Sequence, residues 1–235
     1  MQFSWDEQSV GWFLDASAYT GYHKALAKKI IPYLEPGDTV LDAGCGLGRL
    51  DIELAGHVSA ITAVDIDECV TKALKRDIKD LGISNMLVHH GDVTELSGVF
   101  NVVIMSFFGH VDVKEFFGRF RRRLIRIVGA ENKSFLYPEK HRRYIKKTVP
   151  DIQEEFAGMG ISYILELCSI EFGQPLVSLK DAGQYVLKIA PEAETDEIKR
   201  FLDDNLISTD REDYPYYLPY KKELGIFIVD KEGIA

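Results

Sequence analysis

Val40-Leu41-Asp42-Ala43-Gly44-Cys45-Gly46-Leu47-Gly48 is the stretch that decides the fold. A short apolar strand, Thr39 to Ala43, runs into a turn with glycine at every second position. Glycine in such a turn permits unusual backbone angles and lets main chain approach a ligand closely. A dinucleotide-binding turn would read GxGxxG, but residue 49 is Arg, so the spacing is GxGxG. That tilts the reading from a pyrophosphate towards a ligand without phosphates, although a glycine-rich turn alone is also compatible with ordinary βα punctuation.

Outward from the turn, strands and helices alternate. Residues 1–35 read as helical, with Ala25, Leu26, Ile30, Ile31 and Leu34 at helical spacing, and Pro36-Gly37-Asp38 stops them. After the turn, Arg49 to Ala55 opens a helix, and Ala60 to Asp65 is a second strand. Asp67 caps a helix through Leu81, where Gly82 supplies the C-terminal stop. Met86–His89 and Phe100–Met105 read as the third and fourth strands. Val113, Phe116, Phe117, Phe120 and Leu124 predict a helix from Asp112 to Val128, and Ser134–Tyr137 a fifth strand. Thr148–Met159 reads as a helix and Ile161–Phe172 as a sixth strand. Ser178–Ile189 and Thr195–Leu206 read as helices, Tyr214–Tyr220 as irregular, and Glu223–Val229 as a last strand. Continuous apolar strands alternating with helices indicate a parallel sheet covered on both faces, hence a doubly wound α/β fold. The domain reading is an N-terminal helical segment at 1–35 covering the ligand site, a core at 36–174 and 213–235, and a helical insertion at 175–212.

Two acids extend the pattern. Asp65 ends the second strand, 21 residues after Gly44, where a carboxylate can accept from both hydroxyls of a ribose. Asp92 follows the third strand, where it and the Val93 N–H can read the amino group and a ring nitrogen of adenine. In an open α/β sheet, ligands bind at the carboxyl ends of the strands beside the switch point in strand order.

These residues carry a resemblance. From about Tyr19 to Gly109 the chain resembles the class I, Rossmann-like S-adenosylmethionine (SAM)-dependent methyltransferases, with 40–48 similar to that family's first motif. The resemblance implies a seven-stranded, mostly parallel sheet whose last, antiparallel strand inserts between strands five and six. It implies SAM as cofactor, S-adenosylhomocysteine as product, and no metal. It places Asp42 and the Gly44 carbonyl at the methionine end, Cys45, Gly46 and Gly48 among the cofactor-binding residues, Asp65 on the ribose, Ile66 against adenine, and Asp92 and Val93 at its edge. Phe100 to Ser106, including Met105, matches the methyl-transfer edge. The amino-methylating DNA enzymes carry an Asn/Asp-Pro-Pro-aromatic quartet there. This chain has Ser106-Phe107-Phe108-Gly109 instead, which argues against methylation of a nucleobase amine.

Methyl transfer from a sulfonium needs proximity, alignment and exclusion of water. Trp12, Tyr19, Tyr22, Phe107 and Phe108 are candidates to line the pocket, and each could equally be core packing. His110 is the first candidate for a base, with Tyr137 and His141 behind it. His89 and His90 read as a strand end.

Composition bounds the remaining classes. A net charge of -9 disfavours non-specific nucleic-acid binding. Between Lys114 and Thr148 the local balance is +9, which fits either solvated helix faces or an anionic acceptor. Three separated cysteines suit a reducing cytoplasm and offer no metal-ligand spacing. No signal peptide is visible, and no run approaches the ~18 apolar residues of a spanning helix. The expected protein is a cytoplasmic methyltransferase, monomer or homodimer, acting on a small molecule. The alternatives are a non-enzymatic SAM-binding protein, an RNA methyltransferase and a nicotinamide oxidoreductase.

Overall fold

A computed structural model describes residues 5–108, 111–133, 136–142 and 145–234. Helix α1 (Glu7–Thr20) starts where Asp6 accepts from the Ser9 N–H at 2.8 Å and Ser9 Oγ accepts from the Asp6 N–H at 2.9 Å. This reciprocal cap satisfies two donors that a helix start leaves open. The helix stops at Gly21, φ +64°, and α2 (Tyr22–Ile30) follows. Next come β1 (Thr39–Ala43), α3 (Arg49–Leu54) and β2 (Ala60–Asp65). Asp67 caps α4 (Glu68–Asp80) as its spacing predicts, accepting from the Cys69 N–H at 2.8 Å. The chain continues through β3 (Met86–His90), β4 (Phe100–Ser106), β5 (Phe120–Gly129), α5 (Val149–Gly158) and β6 (Ile164–Glu171). It ends with β7 (Gln174–Leu176), α6 (Leu179–Ile189), α7 (Thr195–Asn205), β8 (Ile207–Ser208), β9 (Tyr216–Leu218) and β10 (Lys221–Asp230).

The main sheet has the order β3-β2-β1-β4-β5-β10-β6. β1 lies between β2 and β4 and is parallel to both, with Val40 opposite Ile61 and Val102. The order therefore reverses at β1, the switch point beside which open α/β sheets bind ligands. β10 runs antiparallel to β5, with Phe227 opposite Arg126. This is the seven-stranded, mostly parallel sheet with one antiparallel strand that the resemblance implied.

One expected helix is absent. Instead of a helix over 112–128, a single 3-10 turn (Val113–Phe116) precedes β5. Leu124 to Val128 is a continuous buried run in the middle of the sheet. A short apolar run covered on both faces looks alike as strand or helix, and only its neighbours decide. The expected strand at Ser134–Tyr137 is not the fifth. Ser134 and Phe135 lie outside the described residues, and Leu136 and Tyr137 are in a bend.

The chain divides into two compact units. One comprises residues 23–131, 146–168 and 223–235 and is built on the main sheet. Its core includes Leu41, Val103, Leu124, Ile152, Phe156 and Phe227. The other comprises residues 1–22, 132–145 and 169–222. Its core gathers Trp12, Leu176, Ala182, Tyr185, Val186 and Leu218. The helices expected at 178–206 are present as α6 and α7, but the unit is not purely helical. β7, β9 and β8 form a three-stranded antiparallel sheet, and β9 uses part of the aromatic stretch read as irregular. Tyrosine and leucine there fit a half-buried pleated surface.

Candidate functional site

The glycine turn is clipped to the end of β2. The Gly44 and Cys45 N–H groups both donate to the Val64 carbonyl, at 2.9 and 3.0 Å. The Gly46 N–H donates to Asp65 Oδ2 at 2.8 Å. Gly46 has φ +53°, and a Cβ built there would point into open space. At Gly44 a Cβ would run into the Phe108 ring. The turn thus packs on one side and leaves main chain accessible at Gly46.

Asp65 is braced on both oxygens, because its Oδ1 accepts from the Asp67 N–H at 2.9 Å. Ile66 beside it is 57% exposed, a branched apolar surface next to a fixed carboxylate. Asp92, past β3, accepts from the Thr94 N–H and hydroxyl at 2.8 Å each, which holds its carboxyl below the usual range. Val93 is buried and its carbonyl accepts from Arg119 at 2.6 Å. Met105 is fully buried in the core, so its side chain offers a ligand no surface.

Beneath the turn sits a group that sequence spacing did not single out. Asp51, in α3, is 0% exposed and meets Asp42 of β1, itself 2% exposed. Burial pushes the Asp42 carboxyl up to about 7, opposed by its hydrogen bond with Asp51 and assisted by the Asp65 charge. Burial, then the charge of Asp42, pushes Asp51 well above the carboxylate range. Burial together with Asp51, Asp42 and Asp65 likewise pushes the Cys45 thiol up, so Cys45 stays neutral and is no nucleophile. The signal available in the sequence was an acid in the first turn after Gly48, where an apolar residue would suit a buried helix face.

At the end of β4, Phe107 has φ +53°, the one non-glycine with positive φ among the described residues. Its N–H donates to the Ile127 carbonyl at 2.8 Å. Lys146 Nζ lies 5.8 Å from the Phe107 ring centroid, a cation at this edge that spacing did not reveal. Phe108 packs edge-on to Phe116 at 6.3 Å. His110 lies outside the described residues.

The other aromatic candidates belong to the second unit. Trp12 donates from Nε1 to Asp181 at 2.9 Å and meets Tyr185 edge-on at 5.3 Å. Tyr19 stacks on Tyr217 at 5.0 Å, and Tyr22 lies against Phe172 at 4.3 Å. His141 pairs with Glu197 at 2.8 Å, and burial raises the Tyr137 phenol. His90 lies 3.1 Å from the Ile66 carbonyl.

The basic segment folds largely as β5 and loop rather than as helix, and several of its cations are paired internally. Arg119 bonds the Val93 and Thr94 carbonyls, Arg122 pairs with Asp38, and Arg123 pairs with Asp230 at 2.6 Å. Arg126, 1% exposed, pairs with Glu155 at 2.9 Å, and Lys147 also pairs with Glu155, at 2.5 Å. These cations satisfy internal carboxylates and carbonyls. Among the described residues no cluster of His, Cys, Asp and Glu could hold a metal, and no helix is long and apolar enough to cross a membrane.

A braced ribose-ready acid, an exposed apolar side chain, a polar loop acid and an open glycine at successive strand ends suit an adenosine-bearing ligand. Buried Asp42 suits a cation at its other end. Comparison with known proteins agrees. Residues 40–126 match a family described as a methyltransferase domain. The ribosomal protein L11 methyltransferase of Thermotoga petrophila is 28% identical over 99 residues, covering 40% of this chain and 38% of that protein. The ribosomal RNA small subunit methyltransferase G of Chlorobaculum tepidum is 36% identical over 87 residues, 36% of this chain and 40% of that protein. The chain thus matches about two fifths of the length of these curated relatives. Among solved structures, the YcgJ protein of Bacillus subtilis aligns with TM-score 0.58 at 11% identity, covering 89% of this chain and 97% of that one. Magnesium protoporphyrin IX methyltransferase of Synechocystis, solved with bound S-adenosylhomocysteine, aligns with TM-score 0.54 at 17% identity, covering 89% and 84%.

Proposed function

We propose that this chain, which has the class I SAM-dependent methyltransferase fold and a methyltransferase domain at 40–126, transfers a methyl group from SAM to a small-molecule acceptor. The observation that carries the cofactor is the Gly46–Asp65 bond with Ile66 exposed beside it. It aims a fixed carboxylate and an apolar face at the carboxyl edge of the sheet. In this reading Asp65 holds the ribose, Ile66 covers the adenine, Asp92 and Val93 read its edge, and Asp42 faces the methionine ammonium. Bound SAM supplies a methyl group on a cationic sulfur with a neutral leaving group. The chain's part is then to orient the two reactants, with Phe107 and Phe108 closing the edge against water.

The second unit holds an aromatic cleft of a size to take a small molecule. It measures about 190 Å³ and is walled by Trp5, Trp12, Phe13, Phe172 and Tyr185. A cavity of ~150 Å³ already holds benzene, so the cleft suits a ring system of one or two rings. Internal pairing of Arg119, Arg122, Arg123, Arg126 and Lys147 takes those five cations away from an RNA acceptor.

Thermal unfolding tests the cofactor. SAM and S-adenosylhomocysteine should each stabilise the protein by about 2.7 kcal/mol at a hundredfold excess over Kd. Stabilisation by NAD alone would overturn the reading. Intrinsic fluorescence tests the acceptor, because both tryptophans of the chain line the cleft. A panel of phenols and aromatic carboxylates should contain members that quench emission saturably and take radiolabelled methyl. Label appearing instead in ribosomal RNA or ribosomal protein would reassign the acceptor.

A further inference from the structure

Asp42 in β1 and Asp51 in α3 are brought together by the glycine turn between them. Asp42 Oδ1 and both Asp51 oxygens are buried, and among the described residues no other protein N–H or O–H reaches them. Ionised carboxyl oxygens only accept, so two facing carboxylates repel strongly in a dry interior. A proton on one of them converts the contact into a hydrogen bond. The charged and titratable groups bearing on the pair are Asp65 and the Cys45 thiol. Among the described residues no Lys, Arg or His acts on it, and Arg49 on the same helix pairs with Asp77.

We propose that Asp51 is a positioning residue held as a neutral acid that donates to Asp42, and that cofactor binding expels one proton from Asp42 so that its carboxylate meets the methionine ammonium. The inference rests on the SAM reading above. The Asp42 O–H bond breaks, its proton passes to solvent, and an ion pair forms; Asp51 keeps its proton, and nothing is oxidised or reduced. The sign follows from burial, which raises Asp42 to about 7. Below that pH the free protein carries the proton and binding must remove it. Affinity therefore rises with pH and levels off above 7, with a limiting slope of about tenfold per pH unit.

Calorimetry of S-adenosylhomocysteine binding, in two buffers of unlike ionisation enthalpy, reads the proton directly. At pH 6 most of one proton should leave per ligand, and Kd should be several-fold weaker than at pH 7. 5′-Deoxy-5′-methylthioadenosine, which lacks the amino-acid end, should bind with no proton release. Asp42→Asn should abolish the release. Asp51→Leu should move the linkage to higher pH and weaken S-adenosylhomocysteine at pH 7, and Asp51→Asn, which keeps an N–H donor, should restore both. No release at pH 6, equal release by methylthioadenosine, or Asn behaving as Leu would each overturn the proposal. Failure of S-adenosylhomocysteine to bind between pH 6 and 8 would instead remove the SAM reading, and the proposal with it.

Discussion

Replacing Gly48 by valine should cost about 3 kcal/mol of stability and lower the melting temperature by roughly 6–12 °C. Two physical effects add. Gly48 has φ +59°, a conformation that costs an L-residue ~1–2 kcal/mol and a β-branched one more. A Cβ at Gly48 would also collide with the Leu74 side chain, and Leu74 is fully buried on α4, so it has no room to swing away. Overpacking of that kind costs ~1–3 kcal/mol. Differential scanning calorimetry measures the outcome, and a melting temperature within about 2 °C of the parent protein would show that the turn relaxes freely.

Asp65→Ala should weaken SAM binding by about a hundredfold or more. A carboxylate that accepts from two ribose hydroxyls makes charge-assisted hydrogen bonds worth ~1.5–3 kcal/mol each, and each 1.4 kcal/mol is about tenfold. Loss of the carboxylate also frees the Gly46 N–H, which donates to it at 2.8 Å, and so loosens the turn that faces the ligand. Titration calorimetry with S-adenosylhomocysteine separates the two contributions when paired with Asp65→Asn, which keeps one acceptor for the turn. An alanine variant within threefold of parental affinity would mean that the ribose lies elsewhere.

The glycine turn and the strand-end acids were legible because their parts are local. Asp67 caps α4 from the next residue along the chain, and the turn from Gly44 to Gly48 needs its φ values whatever surrounds it. Asp65 and Asp92 could be placed because each strand's end is marked by its own sequence. The Asp112–Val128 segment misled because its apolar residues satisfy both a helical stripe and a buried central strand. Ile125, Ile127 and Val128 are covered on both faces by neighbours that the segment itself does not contain. The basic residues looked like a charged surface for the same reason. Their partners, Asp38, Glu155 and Asp230, stand far from them in the chain.

By itself, then, the sequence determined the β1–turn–α3 unit and the acids at successive strand ends, because each depends on backbone geometry within a few residues. Only the tertiary structure decided that β5 is a strand, that Asp51 lies buried against Asp42, that Arg122, Arg123 and Arg126 pair with internal carboxylates, and that Trp5 and Trp12 wall a cleft with Phe172 and Tyr185. Each of those turns on which distant residue comes to lie alongside. Burial sets the cost of a charge or the worth of an apolar face, and it is a property of the packed chain rather than of any stretch of it.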